Sequence, residues 1–147
     1  MTTAAAIKNK EPINYADLIG IKASDRIELS KKIKIGFPYK SFISLTKFMN
    51  VSNQQLAELV QISDRTLVRR RKVGVLNSEE SERLLRFARI FTLAIELFEC
   101  DNSATQNWLS STNRALGGET PLEASKTEEG SREVENLIAR LEHGVFS

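Results

Sequence analysis

The chain is poor in the residues on which most catalytic and scaffold chemistry depends. It holds one cysteine and one histidine in 147 residues, so no internal disulfide can form. Cys100 and His143 cannot by themselves assemble a zinc site. A single free cysteine is what a reducing cytoplasm allows, and the cytoplasm is the expected compartment. No stretch of apolar residues is long enough to predict a membrane span. Met1 to Glu11 carry no apolar core ahead of Lys8 and Lys10, so no secretory signal is expected. No nucleophile–base pair, metal-ligand spacing or phosphate-cradling glycine loop stands out. An enzyme is the weakest reading, and neither a cofactor nor a metal is expected.

What is present is the make-up of a globular protein, 41% hydrophobic and 27% charged. The length suits one ordinary domain or two small ones. The net charge is only +2, but it is unevenly spread. Residues 1–99 hold 17 Lys/Arg against 11 Asp/Glu, and residues 100–147 hold 4 against 8. A front part at +6 suits an anionic partner such as nucleic acid. A rear part at −4 suits a different one.

Turn signals cut the chain into short segments, mostly of helical period. Gly36-Phe37-Pro38 is a firm break. Before it, Ile27, Leu29, Ile33 and Ile35 alternate as in a strand, yet a helix is expected there. After it, Phe42, Leu45 and Phe48-Met49 give an amphipathic helix. Ser52 and Gln55 form a capping box for the next, whose inward face is Leu56, Ala57 and Val60. Ser63 caps a further helix that Gly74 stops. Asn77 or Ser78 then starts a longer one, with Glu79 and Glu80 at its positive end. Along it Leu84, Ala88, Phe91, Ile95 and Phe98 form a packing stripe, and Cys100 beside its end is expected to be a small buried hydrophobe. A short helix around Trp108-Leu109 follows, then Gly117-Gly118 and Pro121. The last helix is expected from Ser131 to Glu142, with Val134, Leu137, Ile138 and Leu141 on one face and Gly144 after it. The fold class is all-α. The expected divisions are an N-terminal segment 1–36, a DNA-binding domain 37–100 and a C-terminal domain 101–147.

Gln54 to Lys72 carries the mechanism. Two short helices joined by a tight turn, with Leu56 and Ala57 in the first and Ile62 and Leu67 packing the turn and the second, form a helix-turn-helix pattern. Gln61 occupies the turn position where glycine is common. With Leu67 turned inward, Asp64, Arg65, Val68 and Arg69 turn outward. A helix fits the major groove, where arginine bonds two acceptors on guanine. Ser63 to Lys72 therefore forms the candidate DNA-binding set: Ser63, Asp64, Arg65, Thr66, Arg69, Arg70, Arg71 and Lys72. Arg70, Arg71 and Lys72 suit phosphates, which position but do not specify. Arg70 stands where an apolar anchor is usual, so its stem should cover the core edge while its head reaches out.

Taken in order, Ser63-Asp64-Arg65-Thr66-Leu67-Val68-Arg69-Arg70 precedes Leu76-Asn77-Ser78-Glu79-Glu80-Ser81-Glu82-Arg83-Leu84. Trp108-Leu109, Asn113-Arg114-Ala115-Leu116-Gly117-Gly118, Pro121-Leu122, Gly130 and His143-Gly144-Val145-Phe146-Ser147 follow. This ordered set, over residues 35–147, resembles the Xre/MbcA/ParS antitoxins, in particular those paired with RES-domain toxins. The resemblance implies an Xre-type DNA-binding domain followed by a smaller toxin-binding domain. It implies a cognate RES-type toxin that depletes NAD, whose active-site cleft the antitoxin blocks. It further implies repression of the chain's own promoter, with operator DNA, a homodimer and a hetero-oligomeric toxin–antitoxin complex. Carried onto this chain, the candidate toxin-binding residues are Arg140, His143, Gly144, Val145, Phe146 and Ser147. Trp108 reads as local core, Gly117-Gly118 as a turn, and Arg140 and His143 also suit the negative pole of the last helix. A second reading, a stand-alone repressor whose rear part dimerises or binds a ligand, shares the front half. Only the rear half distinguishes the two.

Overall fold

The computed structural model describes residues 15–144. Among them are eight α-helices and two short 3₁₀ turns, with one isolated antiparallel bridge, Pro38 to Val75, and no strand. The all-α expectation is met. Packing divides the chain after Ala88, inside the helix Ser78–Leu97.

The first part begins with the 3₁₀ turn Asp17–Ile19 and α1, Arg26–Ile35. The segment that alternates like a strand is indeed helical, because its ends are fixed. The Asp25 carboxylate accepts from the Glu28 amide at 2.8 Å, and Gly36 turns the chain at φ 101°. Only glycine fits that turn, since a Cβ would lie 2.1 Å from the Leu76 carbonyl oxygen. In α2, Tyr39–Met49, the side chains of Phe42, Leu45 and Met49 are buried. Each contributes about 2 kcal/mol by leaving water. Ser41 Oγ donates to the Ile19 carbonyl at 2.6 Å, which ties α2 to the first turn. α3, Asn53–Leu59, and α4, Asp64–Val73, follow, and then α5, Ser78–Leu97, opens. The bridge residues bring the Phe37 carbonyl to the Leu76 amide at 2.8 Å, and Ser81 Oγ accepts from the Phe37 amide at 2.8 Å.

The second part takes α5 from Arg89, then α6, Asn102–Leu109, α7, Pro121–Ala124, and α8, Glu128–His143. Its buried side chains include Phe91, Ile95, Leu109, Val134, Leu137 and Ile138. Cys100 departs from expectation, because it is exposed. α5 ends at Leu97, and the chain closes it through Glu99 and Cys100 at φ 52° and 68°, with the Cys100 amide on the Ile95 carbonyl. That left-handed turn carries the thiol outward instead of extending the packing stripe. Asp101 then caps α6 by accepting from the Ala104 amide at 3.0 Å. Trp108 is half-buried, its ring 6.1 Å from that of Phe98.

The last helix also differs from expectation, for it starts at Glu128 instead of Ser131. Thr127 caps it, accepting from the Gly130 amide at 3.0 Å. Gly130 is part of the helix and stands there for space: a Cβ would lie 1.8 Å from the Ala124 carbonyl oxygen. Ser131 is thereby an interior, buried position of the helix.

Candidate nucleic-acid interface and C-terminal surface

The two helices of the front motif are built as their residues demand. The Ser52 hydroxyl accepts from the Gln55 amide at 3.0 Å, and the Gln55 side chain accepts from the Ser52 amide at 2.8 Å. Leu56, Ala57, Leu59 and Val60 are buried. Gln61 then takes the left-handed conformation at φ 61°, and the Ile62 amide reaches back to the Ala57 carbonyl at 2.8 Å. The turn is thus the glycine-type turn expected, made by a residue with a side chain. Ser63 caps α4, accepting from the Thr66 amide at 3.2 Å while donating to Thr66 Oγ1 at 3.0 Å. Gly74 ends α4 at φ 92°, its amide on the Arg70 carbonyl.

α4 itself contains no buried residue. Thr66, Leu67 and Arg70 are half-buried, while Asp64, Arg65, Val68, Arg69, Arg71 and Lys72 are exposed. Arg65 and Arg69 stand one turn apart on the open side, as expected. Ser63, at the start, is also exposed.

Arg70 is the correction in this set. Its head turns to Glu80 at the start of α5 instead of reaching out, with Nε donating to Oε1 at 2.7 Å and Nη2 to Oε2 at 3.1 Å. The physical reason is that the buried Glu80 carboxylate lies within reach of the guanidinium and needs a partner there. The Glu80 backbone amide donates to Asn77 Oδ1 at 2.8 Å, and its Oε1 accepts from the Asn77 amide at 2.9 Å. Burial opposes the Glu80 charge, but the Arg70 hydrogen bonds, the Asn77 amide and the neighbouring guanidinium groups outweigh it. The carboxyl is held below its ordinary range, and the pairing raises Arg70 in turn. Glu80, expected only as a favourable helix-end charge, is the residue that holds Arg70. The available signal was the spacing of Asn77 and Glu80, which is that of a capping box. A second clamp comes from Arg83, whose Nε donates to the Val60 carbonyl at 2.6 Å, at the close of α3.

In the second part, α8 lays Val134, Leu137 and Ile138 inward and leaves Arg140, His143 and Gly144 exposed. Gly144 ends the helix at φ 66°, so the chain turns there as expected. Val145, Phe146 and Ser147 lie outside the described residues. Arg89 Nε donates to Glu135 at 2.7 Å, tying α5 to α8. Two helical turns further on, Glu96 has burial, and then Glu142, raising its carboxyl above the ordinary range. Asn113 closes the loop before α7: its side chain accepts from the Ala115 amide at 2.9 Å and its carbonyl from the Gly118 amide at 3.0 Å. Gly117 and Gly118 stand at φ 68° and 89°, the turn role read for them. No three His, Cys, Asp or Glu among the described residues are grouped to hold a metal ion. No helix among them is long and apolar enough to cross a membrane.

Comparison with known proteins assigns both parts. Residues 28–89 match the Antitoxin Xre-like helix-turn-helix domain. Residues 93–144 match the Antitoxin Xre/MbcA/ParS C-terminal toxin-binding domain. The chain is 38% identical over 130 residues to Antitoxin Xre of Yersinia enterocolitica, covering 88% of each protein. It is 29% identical over 130 residues to Antitoxin Xre of Photorhabdus laumondii, again covering 88% of each. A Prs ADP-ribosylating antitoxin of Sphingobium sp. is 28% identical over 149 residues, covering 95% of this chain and 92% of that one.

Proposed function

This chain belongs to the Xre/MbcA/ParS antitoxin family, and on that premise we propose that it neutralises a RES-type, NAD-depleting toxin and represses its own operon. Its C-terminal end blocks the toxin's active-site cleft, and α4 reads operator DNA. The observation that carries the reading is the pairing of an exposed basic helix, matched to a helix-turn-helix family, with a separate part matched to a toxin-binding one. The Sphingobium relative's name attaches ADP-ribosylation to an antitoxin. That chemistry takes its ADP-ribose from NAD, which supports an NAD-consuming partner. One short helix makes few base contacts, so binding by a homodimer to two half-sites fits the front part. The complex with the toxin is hetero-oligomeric and acts in the cytoplasm.

On the DNA side, Arg65 and Arg69 contact base edges, while Arg71 and Lys72 contact phosphates. On the toxin side, Arg140, His143 and the end from Gly144 to Ser147 enter the cleft. Phe146 is the one large apolar group beyond Gly144 and hence the anchor.

The test is co-expression with the neighbouring operon gene, followed by purification and a cellular NAD measurement. A stable complex with NAD preserved supports the reading. Removal of Gly144 to Ser147 should lower neutralisation while leaving promoter binding intact. A truncated chain that protects as well as the full one moves the inhibitory contact elsewhere. Absence of any toxin partner favours the stand-alone repressor.

A further inference from the structure

α4 carries a side chain whose position the fold does not explain. At about 100° per residue, the half-buried Thr66, Leu67 and Arg70 mark its inward side. Val68 lies on the opposite side, between Arg65 and Lys72 along the helix face, and is 46% exposed. Valine is a poor helix former, and here it gains little by burial. The surrounding exposed groups are all charged: Asp64 and Arg65 one turn back, Arg69 beside it, and Arg71 and Lys72 one turn on. This is an aliphatic group among four cations and one carboxylate, a face of net positive charge that matches a polyanion carrying an apolar mark. Duplex DNA has one such mark in its major groove, the 5-methyl of thymine. Val68 is also in the N-terminal half of α4, the half that meets base edges in this docking mode. Val73, 66% exposed, stands in the last turn and beyond that reach.

We propose that Val68 is a specificity-determining residue that packs its γ-methyl groups on a thymine 5-methyl, beside the guanines read by Arg65 and Arg69. The inference rests on the operator-reading role of α4 and adds the base that this role selects. The arginines choose guanine by hydrogen bonds. Val68 excludes cytosine from the adjacent position by leaving it without an apolar contact.

The test uses the full chain and the DNA immediately upstream of its own coding sequence, made once with thymidine and once with deoxyuridine throughout. The two duplexes differ only in the methyl groups. Fluorescence anisotropy should give the wild type an affinity about fourfold lower on the uracil duplex for each thymine read. Val68→Ala should bind both duplexes alike, at the level of wild type on uracil, with an unchanged salt slope because the phosphate contacts remain. Alanine is the stronger helix former at an exposed site, so circular dichroism should show the fold intact. Equal wild-type affinities for the two duplexes would overturn the inference, as would a Val68→Ala variant that keeps the thymine preference. A wild type that does not prefer its promoter to unrelated DNA of equal length would bring down the operator reading as well.

Discussion

The second helix of the helix-turn-helix, α4, and the last helix of the C-terminal domain, α8, are held in place by opposite means. α4 has no buried residue, and its inward side is fixed by Leu67, by the Ser63 cap and by the two-point pairing of Arg70 with Glu80. α8 buries Val134, Leu137 and Ile138 and takes its position mainly from apolar packing, with the Arg89–Glu135 pair at its side. Under the proposed function, the difference follows from what each must show to a partner. A helix that offers most of its circumference to a groove has little side left for a core, so directional polar contacts must set its orientation. A helix that offers only its end and tail can bury a full face. The carboxylates beside the two helices differ in the same sense. Glu80 is held below its ordinary range and Glu96 above it.

The largest expected effect is the loss of packing under α8. Ile138 is 1% exposed, and Ile138→Ala should cost about 3 kcal/mol in denaturant unfolding and abolish capture of the toxin. The matching deletion on α4, Val68→Ala, should change stability by less than about 0.5 kcal/mol. Equal costs for the two would erase the contrast between the helices.

Next comes the ion pair. Glu80→Ala removes the partner of the half-buried Arg70 guanidinium and the contact to the Asn77 amide, and should cost about 1–2 kcal/mol. Promoter affinity should fall with it, because α4 loses its orientation. The direction with pH is fixed by the shift. Glu80 binds its proton less readily folded than unfolded, so its stabilisation is complete above the ordinary carboxylate range. It is lost as pH falls through the folded value. Glu80→Gln should therefore flatten the acid limb of stability between those limits, in unfolding curves taken across pH.

Glu96 sharpens the comparison from the other side. Its folded-state value is raised, so the folded protein is favoured by protonation and loses that advantage as pH rises through the folded value. Glu96→Gln should stabilise the protein at neutral pH by less than about 1 kcal/mol, since water screens the half-exposed group. The gain should vanish in acid. A variant equally stabilised at all pH values would show that Glu142 and burial are not the cause.

The same division explains what could be read from the residues alone. Ser52, Gln55, Ser63 and Gly74 act within a turn of their own positions, and the helix-turn-helix they delimit was legible for that reason. The outward side of α4 followed from spacing once Leu67 was placed inward. Arg70 could be recognised as a departure from the pattern, but its partner lies ten residues on, past the end of its helix. Gly130 looked like a boundary because its reason for being glycine, the Ala124 carbonyl, is set by how the chain returns from α7. Cys100 followed an apolar stripe that its own left-handed turn leaves behind. Local chemistry could be read, and contacts made by tertiary return could not.

The smallest expected effect concerns the turn that joins α3 to α4. Gln61 stands at φ 61°, a conformation that costs a residue with a Cβ about 1–2 kcal/mol. Glycine removes that cost but adds unfolded-chain entropy, which takes back about 0.5–1 kcal/mol. Gln61 is exposed, so the substitution leaves no cavity. Gln61→Gly should then stabilise the protein by roughly 0.5 kcal/mol, read as a small rise in unfolding midpoint with an unchanged denaturant slope. Promoter affinity should stay the same, because the Ile62 amide keeps the Ala57 carbonyl and the Arg70–Glu80 pair still orients α4. A glycine variant that gains stability but loses promoter affinity would mean that the turn, through its stiffness, helps to hold the reading helix. The ion pair would then share the orienting role assigned to it above.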